Sequence, residues 1–118
     1  MKSKDIILKD LPYFTGTEKY HRFSILFKNL LLTDGCKYLA DSAECYWLFD
    51  IIGSVQNKLK HQPFQTWTFD GKTVICTDGN ETELYRQEIK STDFPLDEIK
   101  LFLSEAGEYQ IVMLPSEY

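Results

Sequence analysis

The sequence predicts a single α+β domain in which helices pack on one face of a small, mainly antiparallel sheet of about four strands. Two observations indicate this class: apolar residues recur at helical spacing in the middle of the chain, and after Pro63 the apolar period changes to two. The chain has 118 residues, 43% of them hydrophobic, and no stretch rich in Pro, Gly or Ser divides it. We therefore expect residues 1–118 to form one domain with one core.

A short helix and a long one are predicted in the first half of the chain. Thr33 or Asp34 can cap a helix over residues 36–41, because both side chains accept hydrogen bonds from free backbone amides. Residues 43–59 are the clearest helix, since they carry a continuous apolar stripe surrounded by further apolar bulk. The stripe consists of Cys45, Leu48, Ile52, Val55 and Leu59. We expect this helix to be central and buried, whereas residues 6–32 are ambiguous between strand and helix.

The second half of the chain is predicted to supply the sheet. Residues 64–69 are β-prone and end at Asp70-Gly71, a hairpin signal because Gly tolerates positive φ. Residues 72–77 then return as the second strand. A further turn leads into a third strand over residues 83–90, and residues 109–114 form the last one.

A C-terminal helix is predicted over residues 96–104. Pro95 suits the first turn of a helix, because no intrahelical partner exists there for the missing N–H. Gly107 follows the segment and is typical of a helix end. The inner face would be formed by Leu96, Ile99 and Leu103. We expect this helix to pack with the central one on one face of the sheet.

Cysteine and histidine usage argues against metal and cofactor chemistry. The chain has three cysteines, Cys36, Cys45 and Cys76, with no closely spaced pair, and only two histidines. A structural zinc site uses about four such ligands, usually in two close pairs, so we expect buried free thiols, no metal and no cofactor. An odd cysteine count without a secretory signal indicates a cytoplasmic location. No apolar run approaches the ~18 residues of a membrane-spanning helix, so no membrane partner is expected.

No catalytic residue is assigned from the sequence. All six glycines are isolated, so there is no Gly-rich phosphate-binding loop, and no nucleophile motif surrounds a cysteine. Cys45 lies on the apolar stripe, where burial lowers the reactivity of a thiol. A small hydrolase or nuclease with a carboxylate pair or a site at His21 remains the alternative.

Charge is distributed unevenly along the chain. Residues 1–62 carry a net charge of +2 and residues 63–118 a net charge of −7, consistent with the formal −5 of the whole. This acidity argues against direct nucleic-acid binding, but it would steer the second half towards a basic partner surface. To the acidic residues we add two members of a short basic-aromatic cluster. The predicted partner-binding residues are Glu81, Glu83, Glu88, Asp93, Asp97, Glu98, Tyr20 and Arg22.

Several phrases of the sequence are distinctive. They are Phe14-Thr15-Gly16-Thr17-Glu18, Leu32-Thr33-Asp34-Gly35, Tyr46-Trp47-Leu48, Glu83-Leu84-Tyr85-Arg86-Gln87-Glu88-Ile89, Thr92-Asp93-Phe94-Pro95-Leu96 and Leu114-Pro115-Ser116-Glu117-Tyr118. From about Phe14 onwards the chain resembles a family of small bacterial domains of unknown function, often carried on plasmids, phages and other mobile elements. Cys45 departs from the small residue expected before the Tyr-Trp pair. The resemblance implies no catalytic residue, but it implies the context of small interaction proteins, some of which block host defence nucleases.

These observations predict a non-enzymatic protein-interaction module from a mobile element. The expected activity is anti-CRISPR-like inhibition, in which an acidic face docks on a host protein such as an RNA-guided nuclease with a basic groove. The alternative is the small hydrolase or nuclease described above. A third possibility is a homodimer in which exposed aromatic residues pair across a two-fold axis.

Overall fold

Three short helices cover one face of a seven-stranded sheet in the computed structural model of this chain, which describes residues 1–59 and 62–118. The helices are α1 (Lys4–Asp10), α2 (Asp34–Ser42) and α3 (Tyr46–Val55). The strands are β1 (His21–Arg22), β2 (Leu30–Leu32), β3 (Phe64–Phe69), β4 (Thr73–Thr77), β5 (Glu83–Glu88), β6 (Ile99–Ala106) and β7 (Tyr109–Met113). The α+β class is confirmed, whereas the expectation of only about four strands is wrong.

The sheet is mixed, with the strand order β1-β2-β7-β6-β3-β4-β5. β2 runs parallel to β7, and the other pairs are antiparallel. The parallel pair joins two strands that are distant in sequence, which is possible because helices and a long stretch of chain connect them. β1 and β2 both come from residues 6–32, the segment that the sequence pattern leaves ambiguous.

The predicted C-terminal helix over residues 96–104 is wrong, because most of this segment forms β6 in the interior of the sheet. β6 pairs with β3 on one side and with β7 on the other. Ile99, Leu101 and Leu103 are two residues apart and face the core together, as strand geometry requires. The predicted helical spacing depended on Leu96. This residue is buried, but it lies in the connection before β6 and not on the strand.

The predicted central helix over residues 43–59 is wrong in length and in place, since α3 has 10 residues and lies on the sheet beside the other short helices. α3 begins only at Tyr46 because Glu44 adopts a left-handed conformation, with φ of 50°, which ends α2. After Val55 the chain tightens into a 3₁₀ turn, Gln56–Lys58. Among the described residues, no helix has the length and hydropathy that crossing a bilayer requires.

Several local predictions are confirmed. α2 begins after Thr33, whose hydroxyl accepts a hydrogen bond from the amide of Cys36 at 3.3 Å. β3 and β4 form the expected hairpin, in which Gly71 has φ of 91°. Asp70 Oδ1 accepts from two backbone amides beyond the turn at 2.9 and 2.8 Å. β5 and β7 agree with the strands predicted over residues 83–90 and 109–114 to within two residues.

The three cysteines are free and buried in the core, as expected. Burial raises the pKa of Cys45 and Cys76 to about 12, and that of Cys36 well above its usual value. Because the thiolate is the reactive form, we expect the native protein at pH 8 to react with Ellman's reagent about a hundredfold or more slowly than the denatured protein. Absorbance measurements with and without guanidinium check this, and fast reaction of native protein would contradict the burial of the thiols.

Candidate functional site

β5 forms one edge of the sheet, and its outer side pairs with no other strand in the described part of the chain. The amide of Ile89 donates to the carbonyl of Lys72 at 2.7 Å, and from there the register with β4 is regular as far as Cys76. Bonded and non-bonded residue pairs alternate along an antiparallel ladder. The backbone N–H and C=O groups of Glu88 and Arg86 therefore point away from β4, where another strand can pair with them.

The six acidic residues predicted to bind a partner lie on this edge and on the connection that leaves it. They are Glu81 in the turn before β5, Glu83 and Glu88 on β5, and Asp93, Asp97 and Glu98 in the connection to β6. All six are exposed. Glu83 forms an ion pair with Arg86 at 2.7 Å, and Asp97 forms one with Lys4 at 2.8 Å. The other four form no ion pair among residues 1–59 and 62–118, so unpaired carboxylates lie before and after β5.

The cation on β5 is bound along its own strand. Nε and Nη2 of Arg86 both donate to Glu83 Oε1, at 3.1 and 2.7 Å. This hydrogen bonding lowers the pKa of Glu83 and raises the pKa of Arg86 from their usual values. The Glu83–Arg86 pair is therefore neutral overall, and the Glu88 carboxylate also helps to raise the pKa of Arg86.

Tyr20 and Arg22 lie at the opposite edge of the sheet, just before and within β1. Six strand spacings of about 4.8 Å, roughly 29 Å in all, separate β1 from β5. One compact docking surface cannot include both edges. The candidate site is therefore the β5 edge with its acidic residues, without Tyr20 and Arg22.

A second cluster of polar residues lies at the N-terminus of α2. Asp34 Oδ1 is 2.8 Å from His21 Nε2, and Asp34 Oδ2 accepts from the amide of Glu18 at 2.9 Å. The amide of Asp34 donates to Thr17 Oγ1 at 2.8 Å. The hydrogen bond from the Glu18 amide, followed by that with His21, holds the pKa of Asp34 below its usual value. The fold thus joins the histidine of the alternative hypothesis to a carboxylate.

Another carboxylate, from Glu117, occupies the same helix end. It accepts from the hydroxyl of Thr33 at 2.6 Å and from the amides of Gly35 and Leu114 at 3.1 and 3.0 Å. Gly35 permits this approach, because a Cβ there would lie 2.6 Å from Glu117 Oε1. We call Thr33, Gly35, Leu114 and Glu117 the α2 clamp. It brings together two of the distinctive phrases of the sequence, residues 32–35 and 114–118, and it satisfies free amides at a helix N-terminus.

The hydrogen bonds at the α2 end connect segments that are distant in the sequence. In the part of the chain that the structure describes, the His21 ring hydrogen-bonds only with Asp34. The nearby hydroxyls of Thr17 and Ser116 donate to backbone carbonyls at 2.5 and 2.7 Å, and neither bonds to the histidine. The described residues also contain no group of three or more His, Cys, Asp and Glu side chains that could hold a metal ion. The His21–Asp34 pair thus ties β1 and the preceding loop to α2.

Two features of these sites have no local sequence signal. The outward-facing backbone of β5 depends on which strand ends the sheet, and that is a property of the whole topology. The pairing of His21 with Asp34 joins residues thirteen positions apart across a loop, without any periodic pattern. The α2 clamp has a partial signal, because Thr33 is recognisable as a helix cap, but its partner Glu117 is not.

Comparison with known proteins identifies a family and no activity. No curated protein and no solved structure matches the chain significantly. The family match covers residues 5–118, nearly the whole chain, and extends from the second residue of α1 through the final 3₁₀ turn, Pro115–Glu117. The expected resemblance to a family of unknown function is confirmed at that level. The chain belongs to the family of unknown function DUF6876.

Proposed function

We propose that this protein is a non-enzymatic interaction module that binds an extended, basic segment of a partner protein along β5. The observation that carries the proposal is the outward-facing backbone of Arg86 and Glu88 on a strand with unpaired carboxylates before and after it. Strand addition to an exposed sheet edge is a recurring mode of peptide recognition, in which backbone hydrogen bonds supply affinity.

Charge supplies the selectivity in this proposal. Glu81, Glu88 and Asp93 are exposed near the two ends of β5 and form no ion pair among the described residues. A neutral or acidic strand would gain the same backbone hydrogen bonds, but only a basic strand would also gain favourable electrostatic steering. The segment bound is therefore expected to carry Lys or Arg.

The partner class follows from the resemblance noted in the sequence. We propose a host protein with a basic, nucleic-acid-binding surface, of which an RNA-guided defence nuclease is the type expected from a mobile element. Occupation of a basic segment of such a protein would compete with its nucleic acid without any covalent chemistry. The acidity of residues 63–118 supports this choice of partner.

The proposal is tested with a capped nonapeptide of alternating lysine and valine, compared with its glutamate–valine counterpart. We expect the lysine peptide to bind and the glutamate peptide to bind at least about tenfold more weakly at low salt, by calorimetry. Glu81→Lys with Glu88→Lys should weaken the lysine peptide about tenfold. Glu105→Lys with Glu108→Lys changes the net charge equally near the β6–β7 turn and should change affinity less than twofold.

A backbone variant separates strand addition from simple charge attraction. Arg86→Pro removes an outward N–H without removing a bond to β4, which a proline on an edge strand permits. Arg86→Ala removes the same side chain and keeps the N–H. We expect the proline variant to bind the lysine peptide about tenfold more weakly than the alanine variant, with both folded by circular dichroism. Equal binding by the two variants, or no binding by the wild-type protein, would overturn the proposal.

A small hydrolase or nuclease is the second candidate, and one observation favours it: His21 and Asp34 lie 2.8 Å apart and are partly exposed. A carboxylate that orients a histidine is a common arrangement in general acid–base catalysis. Purified protein incubated with RNA, DNA and nucleotides in the presence of magnesium tests this candidate. Turnover that His21→Ala abolishes, in a variant that remains folded, would favour it over the docking function.

A further inference from the structure

A cleft lies on the helix side of the sheet, between α3 and the end of β5. The residues that define its chemistry are Trp47, Asp50, Ile51, Gln87, Ile89 and Asp93. Trp47, Asp50 and Ile51 are three and four residues apart on α3, so they lie on one helix face. Gln87 pairs with Val74, which is buried beneath the helices, so Gln87 also faces the helix layer. The cleft therefore opens directly beside the β5 edge.

The aromatic wall of the cleft is held in place by the core. Trp47 packs edge-on against Phe69, with ring centroids 5.2 Å apart and an interplanar angle of 81°. Phe69 in turn packs against Phe94 at 5.2 Å and 70°. Phe94 follows Asp93 directly, so the same aromatic chain anchors the segment that carries this carboxylate. Trp47 itself is only partly buried and borders the cleft.

The chemistry of the cleft suits an organic cation. Trp47, Ile51 and Ile89 provide apolar surface that can contact an alkyl chain, and the tryptophan ring is the best aromatic partner for a cation. Asp50 and Asp93 are exposed carboxylates that line the cleft, one from α3 and one from the β5–β6 connection. Neither forms an ion pair among the described residues, and no described lining residue is basic.

We propose that this cleft binds the side chain of one lysine or arginine of the segment that adds to β5. The inference rests on the proposed function, because strand addition sends every second side chain of the added segment to the helix side of the sheet. A side chain near Gln87 or Ile89 on the added strand would enter the cleft. Its alkyl part would contact Trp47, and its cationic head would lie between Asp50 and Asp93.

The cleft is tested without strand addition by a lysine analogue, Nα-acetyl-lysine N-methylamide, and its uncharged norleucine counterpart. Protein labelled with 5-fluorotryptophan should give a resonance for each of Trp47 and Trp67, assigned with Trp47→Phe. We expect the lysine analogue to shift the Trp47 resonance and leave that of buried Trp67 unchanged. Asp50→Asn with Asp93→Asn should weaken this binding about tenfold, whereas the matched control Glu105→Gln with Glu108→Gln should not.

The positional preference of the nonapeptide gives the second readout. The lysines of the peptide are replaced one at a time by norleucine. At one helix-side position the replacement should weaken binding at least about fivefold more than at the others. Trp47→Phe should reduce that difference, and Asp50→Asn with Asp93→Asn should remove it.

If the peptide binds β5 with no preferred position, the cleft proposal fails and strand addition stands. If the lysine analogue binds but the peptide does not, strand addition fails instead. A shift of Trp47 by norleucine as large as that by lysine would also overturn the cation site.

Discussion

Replacing Gln65 by alanine is expected to lower the free energy of unfolding by about 4 kcal/mol, because it leaves buried donors without acceptors and opens a cavity. Gln65 is fully buried on β3. Its amide exchanges two hydrogen bonds with that of Gln56, at 2.9 and 2.8 Å, and its Oε1 also accepts from Trp67 Nε1 at 2.9 Å. Gln110 donates to Gln56 Oε1 at 3.2 Å and connects β7 to the same network.

The cost of this substitution arises from polar groups that lose their partners. No buried side-chain nitrogen or oxygen among the described residues lacks a partner in the folded chain. Gln65→Ala would leave the indole N–H of Trp67 and one amide hydrogen of Gln56 unbonded in the core. Each such group costs about 1–3 kcal/mol, and the lost side-chain volume adds to this.

Chemical denaturation followed by tryptophan fluorescence measures the effect. Thr66→Ala is the matched control, because Thr66 is the next residue on β3 and faces the other, partly exposed side of the sheet. We expect the control to cost less than about 1 kcal/mol. A Gln65→Ala variant that is no less stable than the Thr66→Ala variant would show that the amide network does not contribute to stability.

Replacing Glu117 by alanine is expected to cost about 3 kcal/mol, because the α2 clamp loses its acceptor. The Glu117 carboxylate accepts from the hydroxyl of Thr33 and from the amides of Gly35 and Leu114. Charge-assisted hydrogen bonds contribute roughly 1.5–3 kcal/mol, and a carboxylate at a helix N-terminus is also favoured by the helix dipole. Glu117→Gln keeps the shape and loses the charge, so its cost should be about half as large.

The same denaturation experiment tests the clamp, with the exposed residue Glu108 as the control position. Glu108→Ala should change the free energy of unfolding by less than about 0.5 kcal/mol. Gly35→Ala should be destabilising in its own right, since its Cβ would lie 2.5 Å from Leu114 Cδ1. Equal stability of Glu117→Ala and Glu108→Ala would mean that the hydrogen bonds to Glu117 do not stabilise the fold.

The elements predicted well from the sequence are those whose local pattern has one interpretation. Thr33 caps α2 because its hydroxyl can reach the amide of Cys36, and Asp70-Gly71 turns β3 into β4. β6 lacks such an unambiguous pattern. Ile99 and Leu103 have the spacing of one helix face, whereas Leu101 shares their face only in a strand. Its strand state is decided by pairing with β3 and β7 on both sides, which is tertiary information.

The candidate site could be predicted only in part, because it also depends on tertiary structure. Composition and charge single out acidic residues that lie on β5 or in the segments before and after it, but they also add Tyr20 and Arg22, which lie at the other edge. The direction of the Arg86 and Glu88 backbone groups follows from the register with β4 and from the place of β5 at the end of the sheet. Neither is encoded by residues 83–90 alone.

The most direct test of the account is amide hydrogen exchange along β5, measured by NMR with and without the lysine–valine nonapeptide. In the free protein the outward amides of Arg86 and Glu88 should exchange fast, and those of Tyr85 and Gln87, bonded to β4, should be protected. Binding is predicted to slow exchange at Arg86 and Glu88 and to leave the β1 edge unchanged. Saturation by the peptide with no protection at Arg86 and Glu88 would contradict docking along β5.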